Sequence, residues 1–149
     1  MSIDGRAFLK DLHQLCFVDV PAESRRAMQD AVREAERDVK NTSAFKDVTG
    51  NLRNKTVGVV LDSTRGELRS SPHYALYIEN GTRPHVIPGN PRLNFYWQKV
   101  GLDVSFNSVN HPGNTARHYM EHAGKWGELV LEHQLGAFIT GSISRFNSK

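Results

Sequence analysis

One string in the chain has the spacing of a metal site: His118-Tyr119-Met120-Glu121-His122. On a helix, positions i and i+4 share a face, so His118 and His122 could hold one zinc ion with Glu121 as general base. Zinc hydrolases of that pattern take a third protein ligand from downstream, where this chain offers Glu128, Glu132 and His133 on the next helical turns. The plainer reading is a helix with Tyr119 and Met120 packed inward and its histidines capping or facing water. A two-histidine match is also cheap in a chain with 7 histidines. His111-Pro112-Gly113 reads as a structural turn ahead of an exposed catalytic loop. No GxSxG elbow, GxGxxG fingerprint or phosphate loop is present, and Gly141-Ser142 lacks the flanking glycine. Phe95, Tyr96 and Trp97 could stack on bases or sugars, yet packing in a core or interface explains them equally. The expectation is no catalytic residue, no metal and no cofactor, with a zinc-dependent hydrolase as the alternative.

Composition narrows the class further. The 149 residues carry a formal charge of +3, with 19 Lys and Arg spread along the chain and Arg25-Arg26 the densest point. A nucleic-acid binder usually shows a basic stripe, so the diffuse charge argues against that function. The hydrophobic fraction is 38%, with a mean hydropathy of −0.51. That balance suits a globular chain, or one that completes its core on a neighbour. The single cysteine, Cys16, lies in the apolar context Leu15-Cys16-Phe17-Val18 and reads as a buried, inert thiol. The charged, mixed start MSIDGRAFLKDL does not resemble a secretory leader. The longest apolar run falls far short of the ~18 residues of a membrane span. The expected setting is a reducing cytoplasm, or a larger body assembled there.

These residues need elements to position them. A first helix is expected from Asp4, as its cap, to Cys16, with Phe8, Leu9, Leu12, Leu15 and Cys16 on one face. Val18-Asp19-Val20-Pro21 should interrupt it. A second helix runs from Pro21 or Ala22 to about Asn41. Met28, Val32, Ala35 and Val39 make a narrow stripe with Ala27 and Ala31, and the other face is nearly all charge. Asp30 with Arg33 and Glu34 with Arg37 are helix neighbours of opposite sign, and Asp38 lies in reach of Arg33. Thr56 to Leu61 and Glu67 to Ser71 read as a hairpin, with Leu68 inward and Glu67 and Arg69 outward. Arg83 to Arg92, with three prolines and Gly89-Asn90, reads as a long irregular loop. Leu93 to Trp97 and Leu102 to Val109 read as strands. Asn114 or Thr115 should cap a helix through His122, and Lys125 to Phe146 reads as mostly helical, weakened by Gly127, Gly136 and Gly141. The last eight residues are expected to fray. The fold class is α+β: an antiparallel sheet of about four strands packed on a long N-terminal helix, with a C-terminal helix. One domain is expected over 1–149, with 1–20 as an arm and 125–149 as a helical extension.

The stretch Tyr74-Ala75-Leu76-Tyr77-Ile78-Glu79-Asn80-Gly81-Thr82 reads as a short amphipathic helix that Gly81 stops. Glu79 sits at the negative end of that helix, which suggests that a backbone N–H or an arginine holds it. Together with Thr49-Gly50-Asn51-Leu52-Arg53-Asn54-Lys55-Thr56 and His111-Pro112-Gly113-Asn114-Thr115-Ala116-Arg117-His118-Tyr119-Met120, it makes an ordered set of three motifs. In that order the chain resembles the head–tail joining and tail-completion proteins of long-tailed bacteriophages, the group of the lambda minor tail protein Z. The likeness covers roughly Ala22 to Ala123. It departs at His118-Tyr119, where the group has proline-phenylalanine, and in a longer tail after Gly124. The resemblance implies a non-enzymatic virion protein of the neck or tail top, assembled in the host cytoplasm into a ring of six copies. Its implied neighbours are the stopper, tail terminator or tail tube, with DNA passing nearby in the channel and no membrane. Glu79, Gly81, Thr82, Arg83, His111 and Gly113 are the residues expected at a turn or subunit contact.

Overall fold

The computed structural model describes residues 5–147; the expected Asp4 cap and the final Ser148 and Lys149 lie outside them. The elements run α1 (Gly5–Gln14), a π-helical turn (Leu15–Asp19), α2 (Val20–Asn41), α3 (Asn51–Asn54), β1 (Thr56–Val60), β2 (Gly66–Ser70), α4 (Ala75–Asn80), β3 (His85–Trp97), β4 (Leu102–His111) and α5 (Tyr119–Asn147). The chain divides into two compact units, one made of the residues up to Pro72 and those from Tyr119 onward, the other of His73–His118. The α+β class is as expected. The four strands, however, form two separate antiparallel sheets of two strands each, not one sheet.

In the first unit α2 is the organising rod. Ala27, Met28, Ala31, Ala35 and Val39 are buried along it. Their small size lets α5 come close: a Cβ on Gly127 would lie 3.1 Å from the Ala31 carbonyl oxygen and 3.1 Å from the Ala35 Cβ. Gly127 therefore marks the helix crossing rather than a weak point. The β1–β2 hairpin lies against the same helix, with Gly58 and Gly66 facing Val32 so closely that neither has room for a side chain. The charged face pairs as read, Arg33 with Asp30 at 2.9 Å and Arg37 with Glu34 at 3.5 Å. Asp38 departs from the reading and accepts a hydrogen bond from the His122 ring, 3.0 Å away. Leu68 is inward of Glu67 and Arg69 on β2, as the alternation requires.

Several expectations are corrected. Pro21 does not break the helix. The Val20 N–H reaches back to the Leu15 carbonyl, so a wider π turn carries the chain from α1 into α2. Pro21 then falls in the first turn of α2, where its missing N–H is not needed. Cys16 is exposed, not buried, because it lies on the π-helical turn that continues the apolar face of α1, and the described residues leave that face open: Leu9 is 63% exposed and Phe17 70%. The C-terminal helix is continuous from Tyr119 to Asn147, where fraying was expected from Ser142 on; Ser142 is buried, Ile143, Ser144 and Arg145 are exposed, and the expectation for Ser148 and Lys149 lies outside the described residues.

In the second unit the expected irregular loop is mostly strand. β3 runs through Pro88 and Pro91 because every strand of a two-stranded sheet is an edge, where a missing N–H costs no ladder bond. β4 pairs with it from His85↔His111 to Trp97↔Leu102, with a register shift between Pro88 and Leu93.

Candidate functional site

The first motif is structural. Gly50, at φ +71°, starts the single turn of α3. Leu52 is buried, and the Thr56 hydroxyl donates to its carbonyl at 2.8 Å. Arg53 was not singled out in the sequence, and its role is the largest of the set. Its guanidinium donates to the carbonyls of Val39 (3.3 Å), Thr42 (2.6 Å) and Phe45 (3.4 Å) and to that of Lys40. It also lies 4.8 Å from the centre of the Phe45 ring. One planar cation thus satisfies the carbonyls left over at the end of α2. The signal available in the sequence was an arginine two residues after a helix-starting Gly50-Asn51, a short distance beyond the end of α2.

The second and third motifs meet. The Thr82 N–H donates to the Asn114 carbonyl at 2.8 Å, and the Asn114 N–H donates back to the Thr82 carbonyl at 3.1 Å. The Asn114 N–H also reaches the Thr82 hydroxyl at 2.9 Å. Two glycines make this clasp possible. Gly81 has φ +72°, and a Cβ there would lie 2.5 Å from the Asn114 carbonyl oxygen. Gly113 has φ +83°, and a Cβ there would lie 2.2 Å from the Thr82 carbonyl oxygen. Below the clasp, the Arg117 N–H donates to the Ile78 carbonyl at 3.0 Å, and the His118 N–H to the Glu79 carbonyl at 3.1 Å. Glu79 is thus held through its backbone by N–H groups from the third motif. Arg83 is exposed, and its carbonyl lies 2.9 Å from the His85 Nδ1. His111 accepts the Gly113 N–H at Nδ1, 3.0 Å away, with its ring 5.1 Å from that of His85. All six residues expected at a turn therefore lie in or beside one backbone knot.

The HxxEH geometry does not form. His118 has φ +48° and precedes the helix, which begins at Tyr119, so His118 and His122 are not i and i+4 of one helix. The Asn114 or Thr115 cap is absent for the same reason. Among the described residues, no three His, Cys, Asp or Glu side chains are grouped to hold a metal ion.

The other notable surface of the second unit is apolar. Register pairs share a face, so Leu93, Phe95 and Trp97 lie on one side with Phe106, Val104 and Leu102. Leu93, Phe95, Trp97 and Phe106, with Ile87, Ser108 and Val109 beyond the register shift, line a groove of about 610 Å³. Trp97 meets Phe106 edge-on at 6.3 Å, and Phe95 lies 6.2 Å from Phe106. The opposite face pairs Asn94 with Ser105 and Tyr96 with Asp103.

Comparison with known proteins finds no match to a family model, a curated protein or a solved structure. Among the described residues, no helix is long and apolar enough to cross a membrane.

Proposed function

We propose that this chain is a structural protein of the phage neck or tail top that forms a ring and joins or completes the tail at the head–tail interface. The three ordered motifs suggest the class. The observation that carries self-assembly is the amount of apolar surface the chain leaves open: Phe17, Leu9, Leu102 and Leu129 are each more than half exposed. α5 adds to this with Trp126, Leu129, Ile139 and Ile143 on its open side, although other residues of the same helix are buried. Each of the two-stranded sheets also ends in strands without a further β partner among the described residues, and pairing between neighbours would join them into the wider sheet that the sequence suggests. Head-to-tail contacts of this kind close into rings by rotation. On this reading the copies number six, the neighbours are the stopper, tail terminator or tail tube, and the clasp of Gly81, Thr82 and Gly113 fixes the contact surface. The chain works through its interfaces, within the virion, and carries no chemistry of its own.

The test is electron microscopy of the purified protein together with mass spectrometry of purified virions. A closed ring and a stoichiometric virion band are expected. A protein that stays monomeric at all concentrations and is missing from virions overturns the proposal.

A further inference from the structure

The root of the β3–β4 hairpin holds two histidines whose protons are assigned by what their rings meet. His85 and His111 are a register pair, with ring centres 5.1 Å apart. The His85 Nδ1 lies 2.9 Å from the Arg83 carbonyl oxygen, which can only accept, so that nitrogen carries the proton. The His111 Nδ1 accepts the Gly113 N–H at 3.0 Å, so that nitrogen is bare and the neutral ring carries its proton on Nε2. This second bond closes the turn that leads into the clasp. Pro112 has no N–H, so the Gly113 N–H is the first backbone donor beyond His111, and the chain turns there at φ +83°. The arrangement is that of an Asx turn, in which an Asn or Asp side chain holds the N–H two residues on, with an imidazole in place of the amide. Unlike an amide, an imidazole gains a proton within the range of pH 8 to 5.

We propose that His111 makes the Thr82–Asn114 clasp a proton-operated latch, closed while the ring is neutral and released in acid. The second proton of an imidazole goes to its bare nitrogen, and on His111 that nitrogen is the acceptor of the turn. Protonation sets N–H against N–H and breaks the bond to Gly113. His85 responds differently. Its second proton goes to Nε2, the bond to the Arg83 carbonyl survives as a charge-assisted one, and the new charge stands beside the His111 ring. Both protonations therefore act against the closed root. Gly113 adjoins Asn114, so release of the turn removes the restraint next to the two Thr82–Asn114 backbone bonds. His85 is exposed and His111 half-buried, so the pair is open to water. The other charged or titratable side chains on the segments that meet here are His73 ahead of α4, Glu79 at its end, Arg83, and Arg117 and His118 after the clasp. On the strands, Arg92 donates to the Ser105 carbonyl and Asp103 stands opposite Tyr96, both toward the far end of the hairpin. His118 enters the knot through its backbone N–H. The latch is a property of this turn and does not depend on the ring reading.

The test is NMR of the full chain between pH 8 and 5, reading amide exchange and the ring nitrogen shifts of the histidines. Protection is taken relative to each amide's free exchange rate at the same pH. Protection of the Thr82, Gly113 and Asn114 amides should fall about tenfold on acidification, the scale of one lost hydrogen bond, while amides in the middle of α2 keep theirs. His111→Asn retains an acceptor for the Gly113 N–H that does not titrate, so its loss should stay below about twofold. His85→Gln and His118→Asn should both keep the loss, because the acceptor is on His111. In the natural chain the His111 ring should be protonated at Nε2 alone at pH 8, and should gain its Nδ1 proton over the same range in which the Gly113 amide signal moves. That second readout needs no variant and decides the question should His111→Asn not fold. A flat protection profile in the natural chain overturns the inference. So does an equal loss in His111→Asn, a loss that vanishes in His85→Gln or His118→Asn, or a neutral His111 protonated at Nδ1.

Discussion

Replacing Arg53 should loosen the end of α2 more than any other surface change in the first unit. The guanidinium serves the carbonyls of Val39, Lys40, Thr42 and Phe45 and faces the Phe45 ring. The bonds to Lys40 and Thr42 are the short ones. Hydrogen bonds to charged groups contribute ~1.5–3 kcal/mol when well desolvated. Arg53 is partly exposed, so about 1 kcal/mol for each of the two short bonds is the better figure, and the ring adds about 0.5 kcal/mol. Arg53→Ala should therefore cost about 2.5 kcal/mol, which lowers Tm by roughly 5–10 °C at this chain length. Arg53→Lys keeps the charge but not the planar fork and should lose about half as much. The assay is thermal and urea unfolding by circular dichroism at one fixed protein concentration. Amide exchange in the last turn of α2 should quicken in step. If Arg53→Ala melts within about 1 °C of the natural chain, the clamp contributes little and the reasoning fails.

Two further outcomes follow from described contacts. Gly81→Val places a β-branched residue at φ +72°, against the Asn114 carbonyl; it should open the clasp and cost about 2 kcal/mol or more, read as faster exchange of the Thr82 and Asn114 amides. The Glu36 carboxyl is held below its ordinary value of 4.5 by the Lys40 ammonium and by the Gly58 N–H. The folded state then binds its proton less readily than the unfolded one, so this stabilisation is complete above about 4.5 and fades as pH falls through the lowered value. Urea midpoints from pH 7 down to 3 should show a shallower decline in Glu36→Gln, and equal slopes would remove Glu36 from the account.

The elements that could be read ahead were those whose pattern is local. α2 declares itself by small apolar residues on one side and charge pairs on the other, and apart from Asp38, which meets His122, these are arranged as read. Gly81 as a helix stop follows from backbone sterics alone. The misreadings lie where distant residues decide. Pro21 forbids a regular α-helix locally, but a π turn removes the conflict. The prolines of 83–92 forbid a central strand, yet β3 has an open edge, which no local pattern reveals. His118-x-x-Glu121-His122 has helical spacing, but the chain is pinned at Glu79 before the helix begins, so His118 is drawn out of it. Cys16 sits among apolar residues and is exposed because its face has no cover among the described residues. At the candidate site, glycine, threonine and asparagine were visible as a turn, whereas their mutual pairing depends on a separation of 32 residues.

The clasp also has an architectural consequence. It ties Thr82 to Asn114 at the root of the long hairpin, so everything between them is a closed excursion of the chain. Closing a flexible loop costs only about 0.6 kcal/mol more for each doubling of its length. Residues added or removed at the tip around Lys99 to Gly101 are therefore cheap, and the knot at the root stays as it is. The hairpin behaves as an adjustable finger: its reach and its tip can change while the Thr82–Asn114 pairing at its root is kept.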